Sequence, residues 1–217
     1  MTTLRCNMRC AHCCYACEPH GPQMDWNTFK AAADLAVAMD DRVALCGGEP
    51  TIHPLFWRFM EYALASSDNV WCLTNGKKTR TALALARLGQ AGVVYAGISQ
   101  DKWHEPIAEE VVVAFSHKES SRSTVEIRRV DQFPSVAPQN AGRCDFGHDM
   151  CPMIGTAFVD VDGGIHQCGC SDAPVIGTVF EPEAFMSQYN RLSFKACWKG
   201  LWNPSKIPPR EKELVVR

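Results

Sequence analysis

Between residues 26 and 130 the apolar positions of this chain alternate between two periods. Trp26 to Met39 carries Phe29, Ala32, Leu35, Ala36 and Met39 at helical spacing, and Leu55, Phe56, Phe59, Met60, Ala63 and Leu64 repeat the pattern behind Pro54, a residue suited to a first turn. Lys77 to Leu88, stopped by Gly89, and Pro106 to Phe115 are the third and fourth helical stretches. Among them lie short apolar runs of strand character, at Val43 to Cys46, Val70 to Leu73, Val93 to Ile98 and Thr124 to Val130. Strands alternating with helices predict a parallel sheet with right-handed crossovers, so the fold class expected is α/β. Polar and small residues collect at the ends of the strands, where such sheets bind ligands: Gly47-Gly48-Glu49-Pro50, Thr74-Asn75-Gly76 and Ser99-Gln100-Asp101.

The rhythm breaks at Asp131 to Arg143, which holds Pro134, Pro138 and Gly142 and little periodicity. A boundary near residue 140 is expected, giving units at 1–140 and 141–217. In the second unit, Thr156 to Val161 and Ile165 to Gln167 read as strands joined through Asp162-Gly163-Gly164, a hairpin signal. A helical stripe at Phe185, Tyr189, Leu192 and Ala196 follows.

With 217 residues the chain can bury a substantial core. Its net charge of -2 creates no general field attracting nucleic acid or an anionic membrane. No apolar run reaches membrane-spanning length, and no basic segment followed by an apolar stretch opens the chain, so a cytoplasmic protein without a membrane partner is expected. The 12 cysteines change the picture. In a reducing compartment they point to metal or redox chemistry rather than to disulfides.

Cys6, Cys10 and Cys13 have x3 then x2 spacing, which suits three corners of a cubane cluster whose fourth iron stays open for a ligand. A zinc ribbon would need two CxxC pairs held apart, whereas Cys10/Cys13 and Cys14/Cys17 have nothing between them. The run Cys6-Asn7-Met8-Arg9-Cys10-Ala11-His12-Cys13 resembles the radical S-adenosylmethionine (SAM) superfamily, with His12 where members usually have an aromatic residue. Gly47-Gly48-Glu49-Pro50 resembles that family's motif for the amino group of SAM.

The resemblance implies a partial (β/α) barrel, read here with five strands where six is usual. It also implies a 4Fe-4S cluster on Cys6, Cys10 and Cys13, and SAM contacts from Gly47, Gly48, Glu49, Asn75, Ser99 and Asp101. Arg128 or Arg129, on the fifth strand, would face the SAM carboxylate, since a guanidinium fork suits it. The implied reaction is reductive cleavage of SAM to a 5'-deoxyadenosyl radical that abstracts a hydrogen atom from substrate, fed by an electron donor such as flavodoxin or ferredoxin.

Cys151, Gly163 and Cys168 are spaced as in SPASM and twitch domains, small C-terminal iron-sulfur domains built on a β-hairpin and a helix. That likeness implies a second, auxiliary 4Fe-4S cluster on Cys144, Cys151, Cys168 and Cys197, with Cys170 as the alternative ligand because it shares a strand face with Cys168. Four thiolates on a hairpin also describe a structural zinc fold. A non-catalytic zinc module on nucleic acid or protein is therefore the competing reading. Cys46 and Cys72, in apolar strands, read as small hydrophobes. Trp103-His104-Glu105 puts an aromatic surface and two titratable groups at the barrel mouth. Since the barrel starts at the first residue, with no peptide-binding domain ahead of it, the expected substrate is a small molecule, a nucleotide or modified base, or a peptide recognised without such a domain.

Overall fold

The computed structural model describes residues 1–10, 13, 15, 17–129, 157–166 and 173–189. Helix α1 (Trp26–Asp40) is started by Asp25, whose side chain accepts from the Thr28 backbone N–H, and ended by Asp41 in the left-handed conformation. Strand β1 (Val43–Leu45) leads through a 3-10 turn (Pro50–Ile52) to α2 (Phe56–Ser66), and β2 (Val70–Thr74) to α3 (Thr79–Gln90). Strand β3 (Tyr95–Ser99) leads to α4 (Glu109–Ser116) and β4 (Val125–Arg128).

The four strands form one parallel sheet in the order β1-β2-β3-β4, so each crossover helix joins neighbouring strands. Val43, Leu45, Val70, Cys72, Ala96, Ile98 and Val125 point into the helical layer and are buried with Phe29, Phe59, Met60, Leu85 and Phe115. Phe29 and Phe59 stack with centroids 4.0 Å apart at the centre of the α1–α2 packing. Alternate positions on the other face, at Ala44, Trp71, Leu73, Tyr95 and Glu126, are half-buried or exposed among the described residues. Among the described residues helices cover one face of this sheet, the geometry of an incomplete barrel wall.

Two expectations need correction. The parallel sheet has four strands among the described residues, not five, and Arg128 lies on the fourth. The remaining place is taken by Thr2 to Arg5, which runs beside the end of β1 without forming a full strand: Thr2 N–H donates to Cys46 O at 2.7 Å, Gly48 N–H to Thr3 O at 2.7 Å and Glu49 N–H to Arg5 O at 2.9 Å. Beyond residue 157 the described residues form a three-stranded antiparallel sheet rather than a hairpin alone. It comprises β5 (Phe158–Val159), β6 (Gly164–His166) and β7 (Val175–Thr178), followed by α5 (Pro182–Tyr189). Ile165, Val179 and Phe185 pack this sheet onto Leu35 of α1. No described helix is long and apolar enough to cross a membrane.

Candidate functional site

Cys6 follows the extended segment Thr2 to Arg5, which is pinned on both sides. On one side it bonds to Cys46, Gly48 and Glu49; on the other Leu4 N–H donates to Pro22 O at 2.9 Å and Cys6 N–H to Glu18 O at 3.0 Å. The two glycines are required by this packing. A side chain at Gly48 would run into the Arg5 carbonyl, and one at Gly47, whose φ is +141°, into the Thr3 carbonyl. The sequence leads one to expect Gly47 and Gly48 to admit a ligand; what they admit here is the backbone that delivers Cys6.

The Cys6 sulfur is buried and accepts from Met8 N–H at 3.4 Å and from Asn75 Nδ2 at 3.6 Å. Cys10 and Cys13 are half-buried, with Cys13 N–H donating to Cys10 O at 3.1 Å. Burial raises the Cys6 thiol, with Glu49 and Cys13 adding to the rise. Burial is also the main cause that pushes the Cys10 thiol up to about 12, followed by Cys6, Cys13, Asp101 and Glu105. Cys6 and Cys10, two thiols that resist ionisation, stand with Cys13 in a pocket already rich in carboxylates, a donor set suited to a cationic iron group, which holds thiolates deprotonated. Among the described residues no three His, Cys, Asp or Glu side chains converge where a single metal ion would sit.

Glu49 is fully buried at 0% exposure. One carboxylate oxygen accepts from Thr51 N–H at 3.1 Å, from the Thr51 hydroxyl, and from the Thr74 hydroxyl at 2.7 Å; the other accepts from Asn75 N–H at 2.6 Å. Burial pushes its carboxyl up, opposed by these donors. The carboxylate expected to meet an incoming ammonium thus also ties the end of β1 to the end of β2, through Thr51 and Thr74, two residues that sequence reasoning passed over.

Asn75, Ser99 and Arg128 come to one level of the sheet. Ser99 pairs with Arg128, and Asn75 follows Thr74, the partner of Ile98. The Asn75 amide bridges Cys6 and Asn7, reaching Asn7 Oδ1 at 2.8 Å. Asp101 has a buried carboxylate that accepts from Trp103 N–H at 2.9 Å and meets His104 Nδ1 at 2.8 Å. The Trp103-His104-Glu105 segment is thereby wound around Asp101 beside Cys10. Lys77, also passed over, donates to Asn7 O at 3.0 Å and pairs with Glu105. The other missed residue is His53, buried, with Nε2 3.0 Å from Met24 O and Nδ1 accepting from Leu55 N–H. His12, Cys14, Cys144, Cys151, Cys168, Cys170 and Cys197 lie outside the described residues.

The sequence model described as the Radical SAM superfamily matches residues 1–126, more than half of the chain. The chain belongs to the radical SAM superfamily. Membership implies a 4Fe-4S cluster and SAM, and the Cys6, Cys10 and Cys13 pocket is the donor set that fits the cluster. Within the superfamily, the chain is similar to mycofactocin maturase MftC of Mycobacterium ulcerans (strain Agy99), 33% identical over 101 residues, 46% of this chain and 27% of that protein. MftC of Mycobacterium tuberculosis (strain H37Rv) gives 33% over 101 residues, 46% of this chain and 26% of the relative. The matched stretch thus spans about a quarter of the length of these curated relatives.

Proposed function

We propose that this chain is a radical SAM enzyme in which Cys6, Cys10 and Cys13 hold the SAM-binding 4Fe-4S cluster. The observation that carries the reading is the cysteine triplet at the C-terminal edge of a parallel sheet, with the Asn75 amide on the Cys6 sulfur and burial holding the Cys6 and Cys10 thiols up. When bound, the cluster and SAM supply one-electron reduction of the sulfonium and hydrogen-atom abstraction from substrate. The chain's own residues orient and shield. Asn75 and Met8 N–H donate to the Cys6 sulfur, a contact that tunes potential. Gly47, Gly48, Glu49, Asn75, Ser99 and Asp101 border the space for SAM, and Arg128 supplies a guanidinium for its carboxylate.

The sheet face carrying Leu73, Gly97 and Glu126 is proposed to receive the substrate, with Trp71 and Tyr95 stacked at 4.5 Å one level further from the cysteines. The likeness to mycofactocin maturases favours conversion of a precursor into a mature product over action on free nucleotides. Cys144, Cys151, Cys168 and Cys197, or Cys170, are proposed to hold an auxiliary 4Fe-4S cluster, with residues from 141 onward as its domain. A small redox protein such as flavodoxin or ferredoxin is the proposed electron donor, and the cytoplasm the proposed location.

Anaerobic reconstitution followed by incubation with SAM and dithionite tests this. The parent should bind about eight irons, the content of two four-iron clusters, and release methionine and 5'-deoxyadenosine. Replacing Cys6, Cys10 and Cys13 together by Ala should abolish cleavage and leave one cluster. Cleavage that survives the triple change, or zinc in place of iron at both sites, would overturn the reading.

A further inference from the structure

The stretch between Cys6 and Cys10 is gripped at its backbone by one ion pair. Lys77, just beyond the end of β2, sends Nζ to Asn7 O at 3.0 Å and to the Glu105 carboxylate. Glu105, in the connection between β3 and α4, is held below the usual carboxylate range first by Lys77 and lastly by the Arg9 backbone N–H. Asn7 and Arg9 flank Met8 in the centre of that stretch. The Lys77 backbone N–H also donates to Asn75 Oδ1 at 3.0 Å, which couples the outer grip to the Asn75 amide on Cys6. Two strand-end loops therefore close over the cysteine loop through a single pair.

Global stability does not account for this arrangement. Lys77 and Glu105 are 38% and 45% exposed, and ion pairs in such settings contribute little to folding. What the pair does contribute is local order and local charge. The negative charge of Glu105 is felt at Cys10, and Lys77 places a compensating positive charge against it. A cluster held by three thiolates becomes more negative on reduction, so fixed charges beside it set how readily it accepts an electron.

We propose that the Lys77–Glu105 pair is a positioning device that locks the Cys6–Cys10 loop and sets the reduction potential of the cluster held there. This rests on the proposed cluster, and it assigns both residues a role that the cysteine spacing does not reveal. Lys77→Met leaves Glu105 uncompensated beside Cys10, so the potential should become more negative. Glu105→Gln leaves Lys77 uncompensated, so it should become less negative. Lys77→Arg keeps charge and reach and should lie near the parent.

The test is an anaerobic redox titration of the parent and these three variants, followed by electron paramagnetic resonance. The relevant signal is the one missing from the Cys6→Ala/Cys10→Ala/Cys13→Ala variant. Iron content and far-ultraviolet circular dichroism are measured alongside. Opposite shifts in Lys77→Met and Glu105→Gln, at unchanged secondary structure and with Lys77→Arg restored, support the proposal, since loss of a merely structural contact would move both the same way. Coincident potentials, or shifts of one sign, overturn it. If parent and triple-cysteine variant load equal iron and give the same signals, the cluster reading fails first, and the proposal with it.

Discussion

Glu49→Gln tests whether the buried carboxylate is as structural as its surroundings indicate. Its two oxygens receive four donors, three on one and Asn75 N–H on the other. Glutamine has a single acceptor oxygen. In its better orientation the amide oxygen keeps the three donors from Thr51 and Thr74, and the NH2 group is turned onto Asn75 N–H, donor against donor. Leaving one buried donor unmet costs about 1–3 kcal/mol. For a chain of this size each kcal/mol moves the midpoint by about 2–4 °C, so Tm should fall by about 2–12 °C. The assay is thermal unfolding of cluster-free protein by circular dichroism, with SAM binding to reconstituted protein measured separately. Loss of a charge-assisted bond to the SAM ammonium would lower that affinity about ten- to a hundredfold. An unchanged or raised Tm would refute the structural account, because it would mean that relief of the buried charge outweighs the four hydrogen bonds.

Gly48→Ala forces a methyl group against the Arg5 carbonyl, and overpacking of this kind costs about 1–3 kcal/mol; a lower Tm together with weaker iron retention is expected, since Arg5 immediately precedes Cys6. His53 has its Nδ1 occupied by Leu55 N–H and its ionisation lowered by burial. The folded state therefore binds fewer protons than the unfolded one below about pH 6.5, so the His53 contribution is complete above that pH and is lost as pH falls further. The difference in unfolding free energy between parent and His53→Gln, followed from pH 8 to pH 5, should narrow on the acid side; a pH-independent difference would show that His53 does not titrate in this window. In cluster-free protein Cys10, pushed up to about 12 against an ordinary 9.0, should hold about a thousandfold less thiolate and be alkylated correspondingly slowly at neutral pH. Labelling read by mass spectrometry as fast as that of a free thiol would contradict its assigned surroundings.

The parallel sheet was legible because its strands are short apolar runs between strongly periodic helices, and a pattern of that kind survives without knowledge of tertiary contacts. Strand β7 was not, since Val175–Thr178 includes Gly177 and gains its place by packing against Phe185, a partner no local pattern reveals. Thr2 to Arg5 carries no pattern that would mark it as an edge segment stopped short of a strand; its register depends on the crowding at Gly47 and Gly48. The cysteine spacing and the strand-end polar residues made the candidate site legible in the sequence. Lys77 and Glu105 were invisible as a pair, being 28 positions apart and joined only because β2 and β3 are neighbours.

The local costs of this fold are concentrated at one place. Away from the cysteine loop, the helical layer buries apolar side chains against apolar strand faces, and propensity, pattern and packing agree. Around the loop they do not: a carboxylate is buried, a glycine is held at φ +141°, and the Cys6 and Cys10 thiols are pushed up by burial and by neighbouring charge. Each conflict is relieved by a different neighbour. Donors from Thr51, Thr74 and Asn75 satisfy Glu49, and the lack of side chains at Gly47 and Gly48 lets Thr3 and Arg5 approach. At Cys6, Met8 N–H and the Asn75 amide offset only part of what burial imposes on the thiol. A cationic group bound by Cys6, Cys10 and Cys13 would remove that remaining conflict, and it would do so at the sheet edge where Ser99, Asp101 and Arg128 already stand.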